Sequence, residues 1–532
     1  MMKKLASILL VFAMLATFAL TGCTGSAATS GTSQANQTNG SQTTNTSGNT
    51  TQSTAATLKK VSYLCGVGIY ATQSNDLPVY QALQKATGIE IEWDLISSED
   101  YTTALATRLA AGDALPDMIS MGSTTQEGLS KYLKNGIIIA MDDYMTNNAP
   151  QLNAYFTENS GYNAINYKSI YDSKIVAAPS EIVMATEWQP GLCYNKLWMD
   201  KLGITDPKTI DDFYNMLVKF KTGDPNGNGT ADEIPFTTLW GMQDLLGNAY
   251  GLTIGANGSK YQAGSDGKVT DDRTDARYKE YLTFMNKLYK EKLLDTEYET
   301  ISQSDQLNEK IGQDRVGVVA MFNSFVTIWN PLYKKGDDTV IFYPAAMPAG
   351  PRGDNYNIAR YPSGGYISLS KDCRDPALAM SLIETLLFSQ ETNDIMNWGI
   401  EGVSFEIKNG EKSMLMTTEE FGKIGGGQPS LPHTQSAEAY DILYQPYTQY
   451  DVDNMRSHMI QPFMTAPLTA EETERFNKLQ SDVDTYYGEM KSKFISGTAS
   501  LDEFDSYVST INEMGATEML AIKQAAYDRL KK

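Results

Sequence analysis

The chain has 532 residues, of which 41% are hydrophobic and 10% aromatic, so it is long enough to bury more than one hydrophobic core. Its formal net charge of −21 argues against a nucleic-acid partner or a basic membrane-binding surface, since both need clustered positive charge. The 2 histidines, His433 and His458, disfavour histidine-rich metal sites and Ser-His-Asp catalysis.

The N-terminus carries a targeting signal. Lys3 and Lys4 precede an apolar stretch over residues 5–20 that is too short for a comfortable membrane span. The sequence LTGC at residues 20–23 resembles a bacterial lipobox, which predicts that residues 1–22 are a signal peptide and that Cys23 is lipidated. Residues 24–57 contain only Thr, Ser, Gly, Ala, Asn and Gln, so residues 23–57 are expected to form a lipidated, disordered tether.

From residue 58 onward, the hydrophobic pattern indicates an α/β fold. We expect a strand over 61–67, a helix over 77–87 ending at Gly88, a strand over 89–93, a helix over 101–111 and a strand over 115–120. Helices are expected over 211–221 and 277–291, a buried strand over 315–322, and mainly helix from about 470, with breaks at Gly497 and Gly515. Such alternation predicts mainly parallel sheets, with ligands beyond the carboxyl ends of the strands.

Several short motifs occur along the chain in a characteristic order. They are LPD at 115–117, WMDKLG at 198–203, TIDDFY at 209–214, DPNGNG at 224–229, NWGIEG at 397–402, FISG at 494–497 and AYDR at 526–529. Behind a lipobox, this series resembles the extracellular solute-binding proteins of family 1, in particular LplA-like lipoproteins and their alginate-binding relatives. The resemblance covers nearly the whole mature chain.

The resemblance implies an α/β, two-lobe periplasmic-binding-protein-like fold with a helical C-terminal region. We expect an N-terminal lobe formed by 58–183 plus 323–362 and a C-terminal lobe formed by 184–322 plus 363–532. The chain should cross between the lobes near 180–190, 322 and 362. Strand segments at such hinges can absorb small dihedral changes while the lobes move as rigid bodies.

The same resemblance implies a binding protein and not an enzyme. It would capture a carbohydrate, expected to be an oligosaccharide, at the extracytoplasmic face of the cell membrane and deliver it to the permease subunits of an ABC importer. We expect a lipid-anchored monomer with no catalytic residues and no nucleic-acid partner. Two alternatives stay open: a secreted carbohydrate-active hydrolase, which needs two carboxylates across a sugar, and a surface glycan-adhesion protein.

Sugar rings have apolar C–H faces and polar rims, so a sugar site needs flat aromatic side chains and a few oriented polar groups. Residues after strands or near the predicted crossings are the candidates. They are Trp188, Trp240, Trp329, Trp398, Tyr70, Asn75, Asp76 and Ser123. For each aromatic residue, packing in a core is the alternative interpretation.

The DPNGNG motif begins a possible calcium loop. Its oxygen-bearing residues resemble the first nine positions of an EF-hand loop, and Ca²⁺ prefers six or more oxygen ligands. The predicted ligands are Asp224, Asn226, Asn228, the Thr230 carbonyl, Asp232 and Glu233. Position twelve is Pro235 instead of Glu, so the resemblance to alginate-binding relatives assigns the bidentate contact to Glu233. The alternative is a glycine-rich turn with no ion; a bound calcium would be structural.

Overall fold

The computed structural model describes residues 58–68, 71–97, 101–122, 124–182, 190–255, 258–333, 340–359, 365–426, 431–443 and 447–531. The predicted signal peptide, the lipidated Cys23 and the tether therefore lie outside the described residues. So do the candidate ligand residues Tyr70, Ser123 and Trp188, and the crossing predicted near 362.

The strands are short and form two larger sheets and several two-stranded ladders. In chain order they are β1 (Lys59–Gly66), β2 (Ile89–Ile96), β3 (Met118–Ser120), β4 (Ala178–Pro179), β5 (Glu181–Ile182), β6 (Pro190–Asn195), β7 (Ile234–Thr238), β8 (Tyr261–Ala263), β9 (Val269–Asp271), β10 (Val316–Phe322), β11 (Phe342–Ala345), β12 (Asn357–Ile358), β13 (Tyr366–Leu369), β14 (Phe405–Lys408), β15 (Glu411–Met414), β16 (His433–Thr434) and β17 (Met459–Ile460).

The helices surround both sheets and dominate the C-terminal region. In chain order they are α1 (Pro78–Thr87), α2 (Tyr101–Ala110), α3 (Gln126–Lys134), α4 (Asp142–Asn148), α5 (Pro150–Gly161), α6 (Lys196–Leu202), α7 (Ile210–Thr222), α8 (Ala276–Lys290), α9 (Ser304–Gly312), α10 (Val326–Tyr333), α11 (Pro376–Phe388), α12 (Gln390–Trp398), α13 (Thr418–Lys423), α14 (Ala437–Leu443), α15 (Thr448–Asn454), α16 (Ala470–Ser496), α17 (Phe504–Glu513) and α18 (Ala516–Leu530).

The predicted elements are confirmed to within a few residues. Helix α1 ends at Gly88, whose φ of 69° is a left-handed conformation that glycine adopts at little cost. Helix α7 begins with a capping box in which Thr209 and Asp212 satisfy each other's backbone N–H groups. Gly497 and Gly515 separate the C-terminal helices, as expected.

The first lobe is built on the five-stranded sheet with strand order β2-β1-β3-β13-β4. Strands β2 and β3 pair with β1 in parallel, whereas β13 is antiparallel to both β3 and β4. Its core includes Leu64, Ile119, Ile367 and Ile383, all with no exposed surface. Helix α11 thus packs in the same core as strands that lie far earlier in the chain.

The second lobe is built on the four-stranded sheet with strand order β11-β6-β10-β7. Strands β7 and β10 are parallel, and β6 is antiparallel to both β10 and β11. Its core includes Leu192 and Val318 from the sheet and Phe494 and Ile511 from the C-terminal helices. The helical C-terminus therefore belongs to this lobe.

The two lobes exchange chain segments at places that differ in part from the predicted ones. After β10, Val326 and Trp329 of α10 are buried in the second core, and β11 pairs with β6 of the same sheet. The chain therefore does not cross near 322. Described apolar residues between 326 and 347 pack in the second core, and most of those between 367 and 431 pack in the first. This is the reverse of the predicted assignment, because long-range strand pairing decides where each segment packs.

The passages between the lobes lie in short segments between described residues. The first lobe includes Ile182 and the second includes the strand that begins at Pro190. It returns between Ala359 and Gly365, where Ser180 donates a backbone hydrogen bond of 3.2 Å to the Gly365 carbonyl. It crosses again between α14 and α15, since α14 packs on α12 and α15 packs on β11.

Asp117 ties β1 and β3 to the segment that follows β13. Its carboxylate accepts hydrogen bonds from the Ser62 backbone N–H at 2.7 Å and from the Arg374 backbone N–H at 2.7 Å. The Arg374 guanidinium also donates to Asp117, at 2.5 Å. Burial alone would raise the pKa of Asp117, but the hydrogen bonds from Arg374 and Ser62 lower this pKa to about 2.

We expect Asp117→Asn to lower the free energy of unfolding by about 2 kcal/mol, because hydrogen bonds to a charged acceptor are replaced by weaker ones. The folded-state pKa lies below the ordinary value of 3.8, so this contribution is present above that value and is lost as the pH falls through about 2. Urea unfolding of wild type and variant at a series of pH values measures the difference.

Asp113→Asn is the matched control, because it removes the same charge from a side chain that is 69% exposed. An equal loss of stability in both variants would contradict the assignment. So would a difference between wild type and Asp117→Asn that does not shrink as the pH approaches 2.

Candidate ligand-binding site

Two parallel strands of the second lobe end side by side. Residues of β7 and β10 pair in register, with Phe236 opposite Val318 and Thr238 opposite Ala320. Loops that follow parallel strands emerge at the same edge of a sheet, which is where ligands bind in open α/β sheets. Trp240 follows β7 and Phe325 follows β10, and their ring centroids lie 6.1 Å apart at an interplanar angle of 89°.

Trp240 is presented to solvent by an unusual backbone conformation. Its φ of 55° is in the left-handed region, which is rare for a bulky residue and costs about 1–3 kcal/mol. The indole Nε1 donates a hydrogen bond of 3.0 Å to the Ser302 carbonyl, and the residue is 52% exposed. The ring is thus held at one edge by Ser302 and supported by Phe325, and part of its surface is open to solvent.

Trp329 and Trp398 are core residues, which corrects their assignment as ligand contacts. Trp329 is 0% exposed and Trp398 is 1% exposed. Trp329 packs edge-on against Phe342 with centroids 5.5 Å apart, and Trp398 packs against Phe405 at 5.9 Å. Both lie on helices whose apolar sides face inward, so neither has the open face that stacking on a sugar requires.

Asn75 and Asp76 lie in the loop before α1 and have different environments. The Asn75 amide donates to the Ile91 carbonyl at 3.0 Å and accepts from the Trp93 indole at 3.1 Å. These bonds fix the loop to β2. Asp76 is exposed, and its backbone N–H donates to the Ser74 hydroxyl at 3.2 Å. Asn75 therefore supports the loop, whereas Asp76 is accessible to a ligand.

A cleft of about 680 Å³ lies between the two lobes. The first lobe contributes Glu127 and Tyr366 to its lining, and the second contributes Phe476, Asn477 and Lys523. The Asn477 amide donates a hydrogen bond to the Glu127 carboxylate, so the lobes are in direct contact at this cleft. Its volume falls within the range of about 300–1,000 Å³ that is usual for small-molecule sites.

The cleft residues of α16 and α18 were not predicted from the sequence. The apolar spacing predicts these helices but does not identify the neighbour that each face contacts. One signal was available: Lys523 occupies the face of α18 that otherwise carries the buried residues Ala516, Met519 and Ala526. A lysine on a buried helix face is unusual and marks the place where that face meets the cleft.

The predicted calcium loop has side-chain oxygens directed toward its own turn. Asn226 Oδ1 accepts from the Asn228 backbone N–H at 3.1 Å, and Asn228 Oδ1 accepts from the Thr230 N–H at 2.7 Å. The Asp232 carboxylate accepts from the Asn228 amide at 3.0 Å. Asp224 lies at the start of this turn and accepts from a backbone N–H in it at 3.3 Å. The four side chains therefore surround one small region.

Glu233 provides the test of whether this loop suits a cation. Its Oε1 atom is buried and has no hydrogen-bond partner. Burial raises the pKa of Glu233, and the nearby Asp232 and Asp224 raise it further. Within the described ranges, no group of three or more His, Cys, Asp or Glu side chains is placed to hold a metal ion. A loop of this kind also uses amide and carbonyl oxygens, so its residues fit calcium.

Two known bacterial proteins are similar in sequence to this chain over most of its length. The chain is similar to the fructooligosaccharide ABC transporter substrate-binding protein FusA of Streptococcus pneumoniae serotype 4, with 26% identity over 505 residues that cover 86% of this chain and 87% of FusA. It is also similar to lipoprotein LipO of Bacillus subtilis, with 24% identity covering 86% of this chain and 90% of LipO.

Solved structures share the fold. FusA in complex with kestose matches with a TM-score of 0.70 at 23% identity, covering 89% of this chain and 99% of that one. An EF-hand mutant of FusA in complex with fructo-nystose matches with a TM-score of 0.69 at 22% identity, over 89% and 99% of the two chains. The alginate-binding protein AlgQ2 without calcium ion matches at 0.68 and 20%, over 89% and 98%. These matches confirm the predicted two-lobe α/β solute-binding fold.

In the described part of the chain, no helix is both long enough and apolar enough to cross a membrane. The model of one protein family, described as bacterial extracellular solute-binding protein, matches residues 72–392. This match spans more than half of the 532 residues. The chain belongs to the bacterial extracellular solute-binding protein family.

Proposed function

We propose that this protein captures an oligosaccharide between its two lobes outside the cytoplasm and delivers it to the permease of an ABC importer. The observation that carries the proposal is Trp240, an exposed indole held in a strained conformation at the carboxyl end of β7. An aromatic surface presented at this edge suits the apolar face of a sugar. The similarity to FusA, whose name identifies a fructooligosaccharide transporter component, supports the same ligand class.

Capture in this way depends on the difference between open and closed states. A ligand that touches both lobes binds the closed state more tightly, and only that difference can drive closure. Trp240 and Asp76 are exposed residues of different lobes, and Glu127 and Asn477 meet across the cleft. Hydrolysis is less well supported than binding, because the compared relatives are described as substrate-binding proteins and transporter components.

We expect Trp240→Ala to weaken oligosaccharide binding by about 1–3 kcal/mol, near the value of burying a large aromatic side chain. A thermal-shift screen of oligosaccharides supplies the ligand, and calorimetry measures the affinity. Trp240→Phe is the matched control and should retain most of the affinity. Trp329→Ala should instead lower stability by about 3–5 kcal/mol, because it opens a cavity in the core.

Equal affinity of wild type and Trp240→Ala for the best oligosaccharide would remove Trp240 from the site. Binding of a peptide or amino acid, with no binding of any glycan, would keep the importer interpretation and reject the carbohydrate.

The proposal includes a structural calcium ion held by Asp224, Asn226, Asn228, the Thr230 carbonyl, Asp232 and Glu233. The buried Oε1 atom of Glu233, which has no hydrogen-bond partner and lies near Asp232 and Asp224, supports it. Two solved neighbours carry related descriptions, an EF-hand mutant of FusA and AlgQ2 without calcium ion. A bound cation would neutralise the mutual repulsion of these carboxylates.

Chelation of calcium should lower the Tm of wild type by a few degrees, since a ligand of the native state is withdrawn. Asp224→Asn should reduce this response, because it removes one charge while tolerating the φ of 45° at this position. Asp113→Asn is the control and should respond like wild type. An unchanged melting curve in chelator, with no metal detected by mass spectrometry, would reject the site.

Membrane anchoring through Cys23 is the last part of the proposal. The lipobox-like sequence LTGC at residues 20–23 supports it, as does the similarity to a protein named lipoprotein LipO. Residues 24–57 contain only small or polar residue types, which do not build a hydrophobic core, so a folded domain on this anchor would stay free to turn.

Cys23→Ala should abolish lipidation and release the protein from the membrane fraction or leave its signal peptide uncleaved. Detergent partitioning and intact-mass measurement follow both outcomes. Cys65→Ala is the control, because this thiol is buried in the first lobe. A Cys23→Ala protein that still carries a diacylglycerol mass would show that the anchor is elsewhere.

A further inference from the structure

Lys523 is a cation on an otherwise buried helix face at the cleft between the lobes. It shares its face of α18 with Ala516, Met519 and Ala526, and it lines the cleft of about 680 Å³. Burial lowers the pKa of its ammonium group. Burial therefore makes the charged form of Lys523 less stable than it would be in water. An anionic partner would compensate for the lost hydration.

The surroundings of Lys523 are aromatic. Its Nζ lies 4.8 Å from the ring centroid of Phe476 and 6.0 Å from that of Tyr261. These rings attract a cation but leave its hydrogen-bonding capacity unused, because an ammonium group has three N–H donors. Among the described residues, no carboxylate lies within 4.0 Å of Lys523 Nζ, so no ion pair neutralises it.

Two acids of the elements that line the cleft are already paired with other cations. Glu127 accepts from Lys131 at 2.6 Å as well as from Asn477. Asp484, on the same helix as Phe476, pairs with Arg273 at 2.9 Å and with Lys260 at 3.2 Å. These two carboxylates are therefore paired, whereas Lys523 has no carboxylate partner among the residues that the structure describes. The net charge of the chain is nevertheless strongly negative.

We infer that Lys523 binds an anionic substituent, a carboxylate or a sulfate, on the captured sugar and so selects acidic over neutral oligosaccharides. This inference rests on the proposed capture of an oligosaccharide between the lobes. Lys523 lines the cleft beside the buried Phe476 and Tyr261 rings, so its ammonium group can pair with a charge that the ligand brings. Lys523 would then be a specificity-determining residue contributed by the C-terminal helices.

The test uses a matched pair of ligands and a matched pair of variants. The ligands are a uronic-acid oligosaccharide and its carboxyl-reduced neutral counterpart, in which each carboxylate is replaced by a hydroxymethyl group. A sulfated oligosaccharide distinguishes sulfate from carboxylate. The variants are Lys523→Met and Lys219→Met, since Lys219 is exposed on α7 and its loss changes the net charge equally. Thermal unfolding without ligand verifies that both variants fold.

We expect the acidic ligand to bind more tightly than its reduced counterpart, and Lys523→Met to lose roughly 10- to 100-fold in affinity for it, as for removal of a charge-assisted hydrogen bond. Lys523→Arg should retain the preference, and Lys219→Met should leave it unchanged. Tighter binding of only the sulfated ligand, lost in Lys523→Met, would support the inference and assign the anion as sulfate.

Two results would overturn it, and they differ in what they leave standing. Equal binding of the acidic and reduced ligands, with no effect of Lys523→Met, rejects the anion site and leaves the capture of a neutral oligosaccharide intact. Failure of every carbohydrate to bind wild type rejects the proposed function and the inference together.

Discussion

The pairing of β13 with β3 is the constraint on which the two-lobe architecture depends. Ile367 lies opposite Ser120 and Leu369 opposite Met118, in strands separated by the larger part of the second lobe. Because β13 completes the first sheet between β3 and β4, the chain must leave the first lobe after β5 and return before β13. Each lobe is therefore built from discontinuous segments of the sequence, and the chain passes between the two lobes more than once.

Buried hydrogen bonds fasten the returning segment in place. The Glu384 carboxylate on α11 accepts from the backbone N–H groups of Gln151 and Leu152 at 2.7 and 2.9 Å, which caps the start of α5. Asp372 accepts from the Leu115 N–H at 3.0 Å, just before β3. These bonds join early and late parts of the chain within the first lobe.

Local features of the fold could be predicted from the sequence, whereas lobe membership could not. Helix α7 follows from its own capping box and apolar spacing, and these are properties of neighbouring residues. The position of α10 depends on burial of Trp329 against Phe342 and on the pairing of β11 with β6, which no local pattern specifies. The prediction of a crossing near 322 was wrong for this reason.

The candidate ligand residues also depend on tertiary packing that the sequence alone does not reveal. Trp240 was predicted because its position after a strand is visible in the sequence, and it is the tryptophan with an exposed ring among the described candidates. Trp329 and Trp398 have comparable sequence positions, but tertiary packing buries them. Lys523 and Phe476 reach the cleft only because α16 and α18 pack beside it, and the helices lie far from the other cleft residues in the sequence.

Strand β7 lies between the predicted calcium loop and Trp240. Glu233 precedes the strand and Trp240 follows it, so its five residues place the ends on the order of 16 Å apart. An ion in the predicted loop is therefore too far from Trp240 to contact the same sugar ring. Its effect would pass through the strand itself: Ile234 donates to the Arg315 carbonyl at 2.7 Å, and Arg315 pairs with Asp232 at 3.3 Å. The loop thus fixes the start of β7, and β7 fixes the aromatic ring at its other end.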